Sequence, residues 1–170
     1  MDFEKLTAKS KEVIEQVLKL AAARKNQYIP PLHLLKVLLD GNDSTIMNLI
    51  LKAGGNQATI RDKLESAFAK LPQVAGASVQ SLMSQDFTTV MMAAENLADK
   101  ANDQYVTVER LLQALATTAG NEAYDILTAA GVNAVKLNQA INEYRKGRLA
   151  DSETAEDNFE ALKKFTIDIT

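Results

Sequence analysis

Apolar residues recur along most of the chain at the three- and four-residue spacing of an amphipathic α-helix. The clearest stripe follows Ser84, whose hydroxyl is suited to a helix N-cap. No segment shows a convincing alternation of polar and apolar residues, which is the pattern of a half-buried strand. The pattern therefore predicts an all-α fold. The stripe after Ser84 consists of Phe87, Val90, Met91, Ala94, Leu97, Ala98 and Ala101.

The chain also contains an internal duplication. A shift of 77 residues aligns residues 7–70 with residues 84–147 without a gap, with 11 identities in 64 aligned positions. These matches cluster at turns and on helix faces, whereas chance matches would scatter. We therefore predict a repeated structural unit. The matches include Gln27-Tyr28 with Gln104-Tyr105, Leu34-Leu35 with Leu111-Leu112, and Ala53-Gly54 with Ala130-Gly131.

Each half is predicted to form four helices, because the start and stop signals recur in the same order. Hydroxyl and asparagine side chains suit helix starts, proline is tolerated at a first helical position, and glycine suits a left-handed helix end. The predicted starts are Thr7 and Ser84 for the first helices, Pro30 and Thr107 for the second, and Asn56 and Asn133 for the fourth; the third helices cover about residues 44–53 and 121–130 and end at Gly54 and Gly131.

Composition divides the chain into consecutive segments. The connecting loop contains proline, glycine and small polar residues, and the stretch after Gly147 is polar and acidic without an apolar period. We predict a double repeat over residues 1–147, followed by a flexible linker and a short tail. The first half covers residues 1–70, the connecting loop 71–83, the second half 84–147, the linker 148–160 and the tail 161–170.

Composition and charge exclude several classes of function. Among the 170 residues there is no cysteine and only one histidine, His33, so thiolate metal sites and cysteine nucleophiles are ruled out. A net charge of -3 with no concentrated basic face argues against a nucleic-acid partner. The first residues carry Asp2 and Glu4 and no apolar core segment, so we do not expect a secretory signal, and the longest apolar run, 90–94, is too short to cross a bilayer. We expect a cytoplasmic protein with no membrane partner.

The repeated motifs resemble the N-terminal domain of the Clp family of AAA+ unfoldases. The resemblance rests on Thr7 and Ser84 at the helix starts, on the stretch Asn26 to Leu35 with its partner Asp103 to Leu112, and on the two Ala-Gly turns. Within the family, the chain is most similar to the ClpB disaggregase branch, because of Leu71-Pro72-Gln73-Val74 and the terminal residues 161–170. That tail is similar to the start of the first AAA+ domain in this branch.

The resemblance implies a substrate-recruiting domain of an ATP-dependent protein disaggregase that acts in the stress response. Proteins of this branch are hexamers that work with the DnaK chaperone system on unfolded or aggregated proteins. ATP and Mg are expected for the full-length protein only, because the chain has no Gly-rich phosphate loop followed by Lys and Ser or Thr. We therefore expect a monomeric, non-enzymatic fragment without a cofactor or metal of its own.

A client that arrives unfolded requires an exposed, adaptable apolar surface. Positions that are apolar in one half and polar in the other are candidates, since an obligatory core would be apolar in both, and methionine adapts to varied ligands. The alternative for each is packing in the seam between the halves. The candidate client-binding residues are Leu18, Leu32, Leu51, Phe87, Met91 and Met92.

Four polar residues match family positions associated with function: Thr7, Ser84, Asp103 and Glu109. Each also has a structural explanation, as a helix cap, a turn residue or a carboxylate at a positive helix end. Ser84 with Glu109 resembles a ClpC-type pocket for a cationic or phosphorylated arginine group. The first-half counterpart of Glu109 is Leu32, however, so one of two such pockets is expected to be missing.

Other functions stay open at this stage. The same surface would serve as a docking site for a specific folded adaptor, which would bind one-to-one and ignore unfolded chains. A small hydrolase would have to use His33 with Ser10 or Ser44, and a helical DNA reader is opposed by the charge balance.

Overall fold

The computed structural model describes residues 2–41, 44–75, 80–157 and 159. Within them, eight α-helices run in two sets of four. The first set is α1 (Ala8–Ala23), α2 (Pro31–Asp40), α3 (Thr45–Lys52) and α4 (Gln57–Ala69). The second is α5 (Gln85–Lys100), α6 (Val108–Thr117), α7 (Glu122–Ala129) and α8 (Ala134–Arg145). The all-α duplicated fold is confirmed: each helix of the second set starts 77 residues after its counterpart.

Side-chain caps fix where most of these helices begin. Thr7 accepts the backbone N–H of Ser10 at the start of α1, and Ser84 accepts that of Phe87 at the start of α5. Asn56 caps α4 in the same way. Each cap satisfies a backbone donor that has no partner inside the helix. At these positions the starts predicted from the sequence are set by local chemistry, whereas Pro30, Ser44 and Thr107 make no side-chain cap bond. Asn121 and Asn133 likewise cap α7 and α8.

Two short strands, absent from the sequence prediction, join the halves. Strand β1 (Tyr28–Ile29) pairs in parallel with β2 (Leu82–Met83). The equivalent contact on the other side is a parallel bridge between Leu6 and Val106. A strand of two residues is too short to show an alternating pattern, which explains why the sequence did not predict it.

The two halves share one apolar core rather than forming two. Its centre is the pair α2 and α6, whose double leucines are fully buried. Helix α2 also packs against α7, α3 against α8, and α4 against α7. Each half therefore completes the core of the other. The central leucines are Leu34, Leu35, Leu111 and Leu112.

Two glycines bring the backbones of the two halves into close contact. Gly54 and Gly131 have φ angles of +93° and +94°, and a Cβ on either would lie 3.1 Å or 2.9 Å from the carbonyl oxygen of the other. Beside them, the N–H of Asn56 donates to Ala130 O at 2.9 Å, and the N–H of Asn133 donates to Ala53 O at 3.0 Å. The equivalence of these bonds marks a pseudo-two-fold axis at the glycine pair.

The polar stretch after Gly147 differs from the expected linker over its described part. It packs onto the second half and onto the start of α1, where the N–H of Ala8 donates to Glu153 O at 2.8 Å, and it buries Ala150, Ala155, Glu156 and Phe159. Ala155 and Phe159 are four residues apart and form, with Ala150, a small apolar cluster against Tyr105 and Tyr144. Because the stretch is polar and acidic, its composition does not predict this contact. The boundary at residue 147 and the assignment of the tail stay predictions, since residues 161–170 lie outside the described residues.

Replacing Gly131 with alanine is expected to destabilise the fold through the seam between the halves. Gly120 provides a matched control, because its φ is +99° and a Cβ there meets nothing within 4 Å. In both variants, alanine in a left-handed conformation lowers the free energy of unfolding by about 1 kcal/mol. Gly131→Ala also forces a clash with the backbone of Gly54, so its total loss is about 3 kcal/mol. Chemical denaturation measures both. Equal losses would show that the close approach is not required.

Candidate functional site

The clearest difference between the halves is a buried polar cluster that is neutral in one and charged in the other. In the first half, His33 Nε2 lies 2.9 Å from Asn26 Oδ1, and Phe68 packs edge-on against the histidine ring. The repeat-equivalent positions in the second half are Arg110, Asp103 and Arg145. The same buried position is therefore filled by a neutral cluster of two aromatic rings and an amide in one half and by ion pairs in the other.

In the charged cluster, Arg145 is the central residue. Its guanidinium donates to Asp103 Oδ1 and to Glu109 Oε1, each at 2.7 Å, and Arg110 donates to Asp103 Oδ2 at 3.2 Å. Two carboxylates and two guanidinium groups balance in charge. Although burial opposes ionisation, the hydrogen bond from Arg145 holds the pKa of Asp103 below its usual value. Removing one partner would leave a buried charge unpaired. Asp103 and Glu109 are therefore explained by internal ion pairs.

The pairing of Ser84 with Glu109 in one pocket is wrong. The pseudo-two-fold axis places the start of α1 against α6 and the start of α5 against α2: Thr7 N–H donates to Val106 O, and Ser84 N–H donates to Ile29 O, each at 3.1 Å. Ser84 therefore caps its helix beside the turn that carries Leu32, and Thr7 lies at the first turn of α6. The group that meets Glu109 is Arg145 of the same chain.

Glu156 completes this polar region, although it is not among the residues predicted from the sequence. Its Oε2 accepts the Thr7 hydroxyl at 2.7 Å and the Val108 N–H at 3.3 Å. Burial, and then the nearby carboxylate of Glu109, raise the pKa of Glu156 to about 7. Glu156 Oε1 and Glu109 Oε2 are both buried without a hydrogen-bond partner. The only signal in the sequence was the spacing of Ala155 and Phe159, which bracket a helical turn.

Three of the six apolar candidates are exposed, as expected. Leu18, Leu51 and Met92 have 42%, 51% and 53% of their surface accessible. They lie on three different helices, α1, α3 and α5. Their role in binding stays a prediction.

The accessible surface expected for the other three candidates is wrong, because Leu32, Phe87 and Met91 are buried in the seam. Their repeat equivalents explain the error. Glu109, the counterpart of Leu32, is equally buried, and Ser10, the counterpart of Phe87, is buried and donates its hydroxyl to Val106 O. Where an apolar residue of one half aligns with a polar residue of the other, both residues here occupy equivalent buried positions. Exposure does not follow from the difference.

A groove of about 830 Å³ lies between α1 and α2 of the first half and is bordered by Val108 at the start of α6. Three of its apolar residues, Val13, Leu20 and Val37, are only half-buried. The equivalents of Val13 and Val37 in the second half, Val90 and Ala114, are completely buried. The floor therefore offers apolar surface to a ligand. It is formed by Val13, Leu20, Val37, Leu38, Ile46 and Val108, and the rim carries Lys9, Glu12, Glu15, Lys19, Lys36 and Asp40.

Metal and membrane sites receive no support from the part of the chain that the structure describes. Across those residues, no group of three or more histidine and carboxylate side chains is placed to hold a metal ion. No helix among them is long and apolar enough to cross a membrane.

The family follows from comparison with known proteins. The Clp repeat (R) N-terminal domain matches residues 5–130. The chain belongs to the Clp N-terminal domain family. It is 44% identical over 170 residues to the chaperone protein ClpB of Brucella suis, which covers the whole chain and 20% of that relative. The chain thus spans about a fifth of the length of this relative. The resemblance to the ClpB branch is confirmed.

Solved Clp N-domain structures share the fold. The Hsp104 N-terminal domain from Candida albicans matches with a TM-score of 0.75 at 20% identity, over 89% of this chain and 98% of that one. A ClpV N-domain in complex with a VipB peptide matches with a TM-score of 0.65 at 23% identity, over 89% of this chain and 91% of that one. At these identities the likeness establishes the architecture of this Clp N-domain.

The raised pKa of Glu156 predicts a pH-dependent stability. In the unfolded state Glu156 has a pKa of 4.5 and loses its proton at a lower pH than in the folded state. The free energy of unfolding is therefore highest below pH 4.5 and falls as pH rises to about 7. The loss is roughly 1.4 kcal/mol for each unit of pKa difference. Glu156→Gln should therefore stabilise the domain at pH 8 much more than at pH 4.5, as measured by urea unfolding.

The matched control for Glu156→Gln is Asp157→Asn. Asp157 lies on the same turn, is exposed and faces Lys9 at 3.6 Å. An exposed pair of this kind contributes little. The account of Glu156 fails if the Gln variant has the same stability difference from the parent at both pH values.

Proposed function

We propose that this chain is the substrate-recruiting N-terminal domain of an ATP-dependent protein disaggregase and that it binds apolar segments of unfolded or aggregated proteins. The similarity to ClpB chaperones supports the context, and the α1–α2 groove supplies the binding surface. In this proposal the chain itself is a cytoplasmic, non-enzymatic monomer without a cofactor. ATP hydrolysis, assembly into a hexamer and cooperation with the DnaK system belong to the full-length protein.

The observation that carries this proposal is the half-buried apolar floor of the groove. An extended or helical segment laid on Val13, Leu20 and Val37 would remove their remaining apolar surface from water. Three or four such contacts, each worth up to about 1.5–3 kcal/mol, must offset the entropy of association and of ordering the segment, which leaves weak binding. Six copies around one client raise the effective concentration of sites and compensate for weak individual affinity.

The mixed charges at the rim fit a client of no fixed sequence. The rim carries three lysines and three carboxylates, so neither acidic nor basic segments are rejected by a field of one sign. The floor has no buried polar group that demands a particular partner among the residues that line it. Binding in this groove therefore depends on apolar surface rather than on a defined motif.

A second apolar surface supports the same role. Lys5 and Glu95 form an ion pair at 3.2 Å on the second-half side. Their repeat equivalents are Leu82 and Leu18, both largely exposed, and Leu82 pairs with the exposed Tyr28 across the two-stranded sheet. Where one side of the pseudo-two-fold axis has an ion pair, the other presents leucines to solvent. This surface would extend the contact with an apolar client.

Docking of a specific adaptor is the second candidate function. It is favoured by the ClpV N-domain solved with a VipB peptide, since a related fold there holds one defined peptide. An adaptor would saturate at one-to-one stoichiometry and would not compete with unrelated unfolded chains. Competition between a reduced, unfolded model protein and unrelated apolar peptides for the same site would instead support general client capture.

Val37→Asp tests the groove directly. A carboxylate on the apolar floor should weaken binding of an unfolded model protein at least about tenfold, because the charge must be desolvated when the client is seated. The control is Val135→Asp, the same substitution at a residue that is 68% exposed on α8, outside the groove. Fluorescence anisotropy gives both affinities, and unfolding curves confirm both folds. Equal affinities for the two variants would remove the groove from the proposal.

A further inference from the structure

A separate pocket of about 310 Å³ lies in the first half, between the end of α1, the middle of α2 and α4. Three cationic side chains line it: Arg24, Lys36 and Arg61. All three are half-buried. Leu64, Glu65 and the ring of Phe68 form the rest of its wall. The volume is at the small end of the range for ligand pockets.

The duplication shows that the fold does not require these charges. The repeat equivalents of Arg24, Lys36 and Arg61 are Ala101, Gln113 and Asn138, which are all neutral. In the second half, Gln113 Nε2 donates to Asn138 Oδ1 at 3.0 Å and Gln113 Oε1 accepts from Arg110 at 2.7 Å, so these side chains are satisfied by internal hydrogen bonds. The same backbone therefore exists without any cation at the three sites. A structural role common to both halves does not explain the cationic set.

Charge balance within the pocket is incomplete. Lys36 and Arg61 share one carboxylate, Asp40, at 2.8 Å and 3.1 Å. The guanidinium of Arg24 lies over the Phe68 ring, 4.8 Å from its centroid, and makes no side-chain hydrogen bond or ion pair with any described residue. Among the described residues that line the pocket, Glu65 is the one carboxylate, since Asp40 lies outside the wall. The five charged groups sum to one positive charge, and Arg24 retains unused donors.

We propose that this pocket binds a small oxyanion, a phosphate or carboxylate group, through Arg24 with Lys36 and Arg61. Guanidinium donors match the planar or tetrahedral oxygens of such groups, and the Phe68 face holds the Arg24 plane in position. A bound anion would compensate the net charge of the wall. The site shares Lys36 with the rim of the apolar groove, but its other lining residues lie outside that groove, so the proposal does not depend on client capture.

His33 provides a built-in reporter for this site. It is the only histidine of the chain, it packs against Phe68, and the positive charge of Arg24 is among the causes that lower its pKa. An anion beside Arg24 would change the field at the imidazole ring. The His33 ring resonances in NMR spectra therefore follow binding without a label at the pocket.

The test is a titration of the chain with sodium phosphate and, separately, with sodium acetate, each at constant ionic strength set with sodium chloride. The expected result is a saturable shift of the His33 resonances with at least one of the two anions. Saturation with phosphate alone assigns phosphate groups as the ligand class, and saturation with acetate assigns carboxylates. A shift that neither anion saturates would overturn the proposal.

Two charge changes of opposite sign make the test specific. Arg24→Gln should weaken binding at least about tenfold, since it removes the free guanidinium donors. Glu65→Gln should tighten it about threefold, because it removes a repelling carboxylate from the wall. Lys63→Gln is the control: Lys63 is an exposed cation on α4 that does not line the pocket. Equal affinities in the Arg24 and Lys63 variants, or no gain from Glu65→Gln, would contradict the site.

Discussion

The contact on which the structure depends is the mutual approach of Gly54 and Gly131 at the pseudo-two-fold axis. Only residues without a Cβ allow the two helix ends to come this close, and the reciprocal bonds of Asn56 and Asn133 lock the approach in both directions. Because each half buries its helices against the other, neither α2 nor α6 would keep a complete core alone. The duplication is therefore a single cooperative domain rather than two linked bundles.

Within this constraint the halves have diverged in chemistry rather than in backbone. The second half uses its buried positions for a charged cluster centred on Arg145 and covers it with the segment that carries Glu156. The first half keeps a neutral cluster, leaves an apolar groove between α1 and α2, and surrounds a smaller pocket with cations. The groove and the cationic pocket thus lie mainly on the first half, whereas the equivalent positions of the second half are filled by buried apolar side chains and by an amide pair.

The helices could be predicted from the sequence because their signals are local: a cap such as Thr7 or Asn133, a glycine at an end, and an apolar stripe between. The site could not, because it depends on which helix face meets the other half. The repeat comparison predicts that Leu32 and Phe87 are exposed. Both are buried, and so are their equivalents Glu109 and Ser10. The burial of Glu156 arises from contact with Thr7, which is far away in the chain, and an acidic stretch gives little sign of it.

The central claim is that the two halves, although related by symmetry, differ in function, with the apolar client seated on the first. Paramagnetic relaxation enhancement tests it most directly, with a nitroxide-labelled, unfolded apolar peptide added to the isotope-labelled chain. The account predicts that amide signals broaden along α1 and α2, around Val13, Leu20 and Val37, while the equivalent residues Val90, Leu97 and Ala114 on α5 and α6 keep their intensity. Broadening centred on α5 and α6, or equal on both halves, would contradict it.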